Sequence, residues 1–402
     1  MVLLEDMIEA YFDCRRKKRN TASALAYEMN YEFNLLDLTR RINERSYTPG
    51  KSICFVVRRP RYREVFAAAF EDRIIHHYIG LRLTPLFEMV LGDRTFNCRE
   101  GKGQLYGIHT LKEDIKACSE NYTKDCYVMK LDLKAFFMSI DKRLLAKLID
   151  DFVVRYYKGD DIEDVRFMCK TVIMHDPEKN CEKHSPDEYW KYLPKDKSLF
   201  TNGEGKGIAI GNLFSQQFAN YLLSLLEPIF AECGVPLHGR YVDDLYAVHA
   251  DKAVLLALVP AIRAKLSELG LRLNEKKFYL QHYSKGITFT GTVVKPGRSY
   301  VVRHTIENFK HSVAVLSSCK DAKDVRKAVT SVNSYLGLLR QNNTYELRKR
   351  ILSTIDKSVF EYIYIKGHYD SVAIKNRYTL RFETFERIKQ EDEKYRKMRH
   401  AA

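Results

Sequence analysis

Asp243 and Asp244 stand side by side in Tyr241-Val242-Asp243-Asp244-Leu245-Tyr246-Ala247-Val248, an otherwise apolar, strand-forming run. Such a pair reads as the tip of a β-hairpin, where two carboxylates repel each other and call for a cation. A second acidic strand lies upstream in residues 125–137, and its period-two alternation puts Val128, Lys130 and Asp132 on one face. If this strand pairs with the hairpin, Asp132 joins Asp243 and Asp244 in one site. Three carboxylates without histidine or thiolate suit Mg²⁺, a hard ion that keeps coordination positions for water and substrate phosphates. That is polymerase chemistry. An Asp-Asp dipeptide alone is more often a solvated turn, and it is the second acidic strand that favours catalysis.

The elements that must position these groups belong to a chain of 402 residues with 45% hydrophobic content, enough for one large core or two to three lobes. Its formal net charge of +15 makes an anionic polymer the natural partner. Acidic residues interrupt the N-terminal stretch before a signal-peptide core develops, and no apolar run approaches the roughly 20 residues that span a bilayer. A cytoplasmic protein with no membrane partner is expected. The nine cysteines are scattered without a Cys-x-x-Cys pair, so neither a zinc site nor a disulfide framework is indicated.

Residues 1 to about 50 read as helical and include the basic cluster Arg15-Arg16-Lys17-Lys18-Arg19. Strand-like runs at 53–57 and 64–67 flank a turn, and Arg58, Arg59, Arg61 and Arg63 on or near that turn could clamp a triphosphate through their guanidinium forks. Arg99-Glu100-Gly101-Lys102-Gly103 forms another basic loop. Residues 150–206 are polar and turn-rich, an elaboration or linker. The glycine-flanked segment 207–212 opens a helix carrying Phe214, Phe218, Leu222, Leu225 and Ile229 at helical spacing, ending near Gly234. A helix over 251–270 follows, then strands within 271–280 and 287–294, and from about 305 a basic helical lobe.

Read in order, these pieces resemble reverse transcriptases. Residues 131–137 (Leu-Asp-Leu-Lys-Ala-Phe-Phe) look like the first catalytic motif of that family, Tyr241-Val242-Asp243-Asp244 like its Tyr-x-Asp-Asp motif, and Phe289-Thr290-Gly291 like its primer grip, with threonine where leucine is usual. A finer likeness is to the reverse transcriptases of diversity-generating retroelements, which replace a common Gln-Gly-x-x-x-Ser-Pro with an aliphatic residue followed by Gly-x-x-x-Ser-Gln. Ile210-Gly211-Asn212-Leu213-Phe214-Ser215-Gln216 fits that pattern. Further likeness lies in residues 63–68, 72–77 and 334–337.

The resemblance implies an α+β right-hand polymerase: an N-terminal helical segment and fingers at 1–120, a palm of antiparallel sheet plus helices at 121–300 with an insertion at about 150–206, a helical thumb at 301–385 and a basic tail at 386–402. It implies two Mg²⁺ ions, for which Mn²⁺ can substitute, held by Asp132, Asp243, Asp244 and the Leu133 carbonyl. Arg63, then Arg59, and Lys277 would meet the triphosphate, Phe137 would exclude a ribose 2′-hydroxyl, and Ile210, Gly211 and Gln216 would line the nucleotide site. It further implies a bacterial or phage-encoded enzyme that copies a template-repeat RNA into adenine-mutagenised cDNA from dNTPs, helped by an accessory variability protein oligomer. The rival readings are a retron or phage-defence reverse transcriptase and, in another class, a non-catalytic basic RNA-binding protein.

Overall fold

The computed structural model describes residues 1–16, 21–58 and 61–380. The chain divides into two compact units, one ending at His282 and the other starting at Tyr283. Expectations for Arg59, for Lys17 to Arg19 and for the basic tail lie outside the described residues.

The first unit begins with helices α1 (Leu4–Arg15), α2 (Ala22–Glu28) and α3 (Tyr31–Asn43), followed by strands β1 (Ser52–Val57) and β2 (Arg63–Ala67) and helices α4 (Phe70–Val90) and α5 (Gln104–Cys118). Strand β3 (Tyr127–Asp132) leads into α6 (Phe136–Ser139), α7 (Lys142–Tyr156), α8 (Ile162–Met174), β4 (Cys181–Lys183) and α9 (Asp187–Lys191). After α10 (Leu213–Ser224) and α11 (Glu227–Glu232) come β5 (His238–Tyr241), β6 (Asp244–His249), α12 (Lys252–Glu268) and β7 (Tyr279–His282).

Strands β5-β6-β3-β7 form one antiparallel sheet. Because side chains alternate across a pleat, Met129 and Leu131 of β3 face the main core with their partners Ala247 and Leu245. Lys130 and Asp132 then share the opposite face with Tyr246 and Asp244. Helix placement follows local rules: Asp141 caps α7 by accepting from Leu144 N–H at 2.9 Å, and Leu145, Ile149, Phe152 and Val153 bury one stripe of that helix. Within the segment 150–206, helix α8 contributes Val165, Met168, Cys169 and Ile173 to the same core.

A second sheet has the order β2-β1-β4. Glu64 on β2 is buried and accepts from Ser198 Oγ at 2.7 Å, Leu199 N–H at 2.8 Å and Trp190 Nε1 at 3.3 Å, tying residues 190–199 to the strand. Glu64→Ala leaves these donors without their acceptor, so we expect a loss of about 3 kcal/mol, read as a lower urea midpoint at unchanged slope.

The structure departs from two sequence expectations. The helix after Gly211 does not run on to Gly234: α10 stops at Ser224, and α11 starts afresh with Pro228 in its first turn, where a missing N–H costs nothing. Residues 271–280 form little strand. Glu275–Lys277 makes a 3-10 turn, and β7 begins only at Tyr279.

The second unit contains β8 (Ile287–Phe289), β9 (Thr292–Lys295) and β10 (Arg298–Val301), then helices α13 (Arg303–Ser317), α14 (Ala322–Leu339) and α15 (Tyr345–Leu352). Their apolar stripes build a separate core around Phe309, Leu316, Val332 and Leu336. A hairpin of β11 (Ile363–Lys366) and β12 (Ser371–Ile374) joins this core, held to α14 by Asn333, which donates to the Val372 carbonyl (2.7 Å) and accepts from its N–H (2.8 Å). Among the described residues, no helix is long and apolar enough to cross a membrane.

Candidate active site

Asp132 ends β3 and Asp244 begins β6, and the two are direct partners in the antiparallel ladder. Asp243 lies between them in the hairpin turn, because the Tyr241↔Asp244 pair leaves only Val242 and Asp243 to reverse the chain. Val242 takes a left-handed φ of 56°, a strained choice for a β-branched residue that costs on the order of 1–3 kcal/mol. Burial raises the Asp243 pKa to about 6, helped by repulsion from Asp132 and then Asp244. Burial also raises that of Asp244, with Lys130 opposing. The unfavourable charge density is local and awaits a counter-ion.

Two lysines supply part of it. Lys277 Nζ lies 2.7 and 2.9 Å from the two Asp132 carboxylate oxygens, Asn274 Nδ2 donates to Asp132 at 3.0 Å, and Lys130 Nζ is 3.2 Å from Asp244. With two carboxylates turned to ammonium groups, no three His, Cys, Asp or Glu side chains among the described residues are gathered as a metal cage. The donor set still fits a hard divalent ion, since it is all oxygen, concentrated on one sheet face, and strained by its own repulsion. The backbone beside it is favourably arranged. Asn274 N–H donates to the Asp132 carbonyl (2.7 Å) and Lys134 N–H to the Arg272 carbonyl (2.9 Å), so the Leu133 carbonyl between them takes no part in this bridge.

The family model of the reverse transcriptase (RNA-dependent DNA polymerase) matches residues 57–294, more than half of the chain and the whole β5-β6-β3-β7 sheet that carries the three carboxylates. The chain belongs to the reverse transcriptase family. That family is one of RNA-dependent DNA polymerases, and the α+β right-hand fold expected from the sequence is the fold of the family. No curated protein sequence matches the chain. Among solved structures it is similar to a telomerase from Candida albicans in complex with a TWJ fragment of telomeric RNA (12% identity, 84% of this chain and 60% of that one, TM-score 0.46). It is likewise similar to an apo telomerase from Candida tropicalis (12% identity, 78% and 57%, TM-score 0.48) and to that telomerase truncated from its C-terminal domain (14% identity, 67% and 60%, TM-score 0.45). The reverse transcriptase thus spans about 60% of the length of these telomerases.

Some of the other candidate residues group with one another. After Asp132 the chain turns through Ala135, itself left-handed, into α6, where Phe137 rests on Phe136 with ring centroids 5.1 Å apart. The Phe137 carbonyl accepts from Ile208 N–H at 3.0 Å, and Phe137 and Ile210 pack against one small cluster of Cys54, Phe66, Met138, Leu199 and Ala209. Phe66 N–H donates to the Ile210 carbonyl at 2.9 Å. Gly211 has φ 116°, and a Cβ there would come within 2.6 Å of the Phe66 carbonyl oxygen, so the missing side chain is required by β2 itself. Gln216, in the first turn of α10, bonds Cys98.

Arg63 is exposed at the start of β2, and Lys277 is the candidate lysine already bonded to Asp132. The cations of the basic loop are paired with acids that precede it: Arg99 with Glu88 and Lys102 with Asp93, each at 2.8 Å. Phe289, Thr290 and Gly291 belong to the second unit. Phe289 and Thr292 pair across β8 and β9, and Thr290 and Gly291 form the two-residue turn with φ of 46° and 85°. Two left-handed residues in succession match the twist that favours a type I′ hairpin, which explains glycine at the second position.

Sequence reasoning passed over Lys130 and Asn274 as site residues. The alternation of β3 carried a signal for Lys130, two residues from Asp132 on one face. Asn274 carried none, since its contact with Asp132 spans 142 residues of chain.

Proposed function

We propose that this reverse transcriptase extends a DNA primer on an RNA template by two-metal nucleotidyl transfer, with Asp132, Asp243 and Asp244 as the catalytic carboxylates. The observation that supports this best is the Asp132↔Asp244 ladder pair with Asp243 on the adjoining turn, its carboxylate made more basic by burial and then by the other two. Held by the three carboxylates and the Leu133 carbonyl, two divalent ions, Mg²⁺ or Mn²⁺, would acidify the primer 3′-hydroxyl and offset charge on the departing pyrophosphate. The protein supplies geometry. Phe137 presents a ring braced by Phe136 and the small cluster, and it would exclude a 2′-hydroxyl. Lys277, a half-buried ammonium group beside Asp132, would exchange that carboxylate for the triphosphate, and Arg63 would bring a second cation from β2. Phe289 to Gly291 would steady the primer. Primer extension with Asp243→Ala tests the assignment, and activity near that of the parent enzyme would end it.

We infer further that the enzyme serves a diversity-generating retroelement, copying template-repeat RNA with errors at adenine in concert with an accessory variability protein. The support is the run from Ile210 to Gln216, which departs from accurate polymerases by placing an aliphatic side chain where glutamine is common. Glutamine can hydrogen-bond around a nascent pair, whereas an apolar contact discriminates by only about 1–3 kcal/mol. Ile210→Gln should therefore lower misincorporation opposite adenine, measured by sequencing cDNA made on a defined RNA. An unchanged adenine error rate would remove Ile210 from the account.

A further inference from the structure

The hairpin tip that carries Asp243 bends through a residue type that resists the bend. Val242 is β-branched and left-handed, so something outside the hairpin must hold it. Its N–H donates to Asn97 Oδ1 at 2.9 Å. Asn97 is 2% exposed and is itself anchored, because Asn220 Nδ2 of α10 donates to its carbonyl at 2.9 Å.

The anchor extends through one buried cation. Arg240, the residue before Tyr241, donates to the Asn220 carbonyl (3.0 Å), to Asn220 Oδ1 (3.2 Å) and to Thr95 Oγ1 (2.9 Å), while Thr95 Oγ1 donates to Glu227 (2.8 Å). Backbone bonds from Arg240 N–H to the Arg94 carbonyl (2.8 Å) and from Phe96 N–H to the Arg240 carbonyl (3.0 Å) lay residues 94–97 along the outer edge of β5. Asn97 therefore reaches the turn from a segment that is rigidly registered to the same sheet.

We propose that Asn97 is a positioning residue for nucleotidyl transfer: by gripping the Val242 N–H it keeps the turn left-handed and so fixes where the Asp243 carboxylate stands relative to Asp132 and Asp244. This rests on the reading of Asp243 as a catalytic carboxylate. Asn97 touches no reacting atom. Its loss lets the turn relax to an unstrained conformation, which moves a carboxylate whose placement must hold to a fraction of an ångström.

The test uses the full chain with RNA template, DNA primer and dNTP. Asn97→Ala should lower kcat about 100-fold, with KM for dNTP little changed and the Mg²⁺ concentration for half-maximal rate raised. Adding Val242→Gly should restore about tenfold of the lost kcat, since glycine adopts positive φ without a Cβ penalty, and a merely structural loss would not respond to a change at the tip. In the parent protein the Val242 amide should exchange at least about 100-fold more slowly than a free turn amide, a measurement that stands even if Asn97→Ala fails to fold. The proposal is overturned if Asn97→Ala keeps kcat within about threefold and an unshifted Mg²⁺ midpoint, if Val242→Gly rescues nothing, or if that amide exchanges freely. Asp243→Ala run in parallel separates the two levels. An active Asp243→Ala sinks the catalytic reading, whereas an inactive one beside a fully active Asn97→Ala sinks only the positioning role.

Discussion

Asp243→Asn is expected to cut primer extension by at least about 1,000-fold while making the metal-free protein more stable. The two effects share a cause. Burial and the neighbouring Asp132 and Asp244 raise the Asp243 pKa from 3.8 to about 6, so at neutral pH the folded chain carries a carboxylate that the fold disfavours. Above pH 6 the group is ionised in both folded and unfolded states and the full penalty applies. Below its ordinary value both states are protonated and the penalty is absent. Stability from this group is thus present in acid and lost as pH rises through about 6, a swing of about 3 kcal/mol. An uncharged amide of the same shape escapes it. Urea melts in EDTA should show Asp243→Asn more stable than the parent at pH 7.5, with the gain shrinking toward pH 4. Equal stability at pH 7.5 would mean that neither burial nor its neighbours burden the Asp243 carboxylate.

Phe137→Ala should raise the efficiency of ribonucleotide incorporation relative to deoxyribonucleotide by roughly 10- to 100-fold. A steric gate needs a ring that cannot yield. Phe137 is half-buried, braced by Phe136 at 5.1 Å, and tied at its carbonyl to Ile208 N–H, so a sugar oxygen cannot push it aside cheaply. Truncation also removes packing, and a thermal melt of the variant separates lost stability from altered selection. The measurement is the ratio of kcat/KM for ribo- and deoxynucleotide on one template. A ratio that stays at the parent value would make Phe137 an ordinary core residue.

The strands that carry the acids were legible because each is one short run of strand formers, and the two-residue period of β3 alone put Lys130 beside Asp132. The hairpin was legible but its tip is displaced by one residue: the Asp243-Asp244 pair was expected at the turn, whereas Val242 and Asp243 reverse the chain and Asp244 already belongs to β6. What escaped reading is non-local. Lys277 meets Asp132, and Asn97 meets Val242, each across 145 residues, and no local pattern encodes such a meeting. Gly211 shows the opposite hazard. The resemblance has it line the nucleotide site, yet its missing side chain is already required by the strand carrying Phe66. The break between α10 and α11 was overridden for a similar reason: the apolar spacing runs on through Ile229, but Pro228 is tolerated only where a helix begins.

The most direct measurement is anomalous diffraction from crystals of the enzyme with template, primer, dNTP and Mn²⁺. The account predicts two anomalous peaks bounded by Asp132, Asp243 and Asp244, with Lys277 Nζ moved off Asp132. Peaks elsewhere, or none at these carboxylates while Lys277 stays bonded to Asp132, would contradict it.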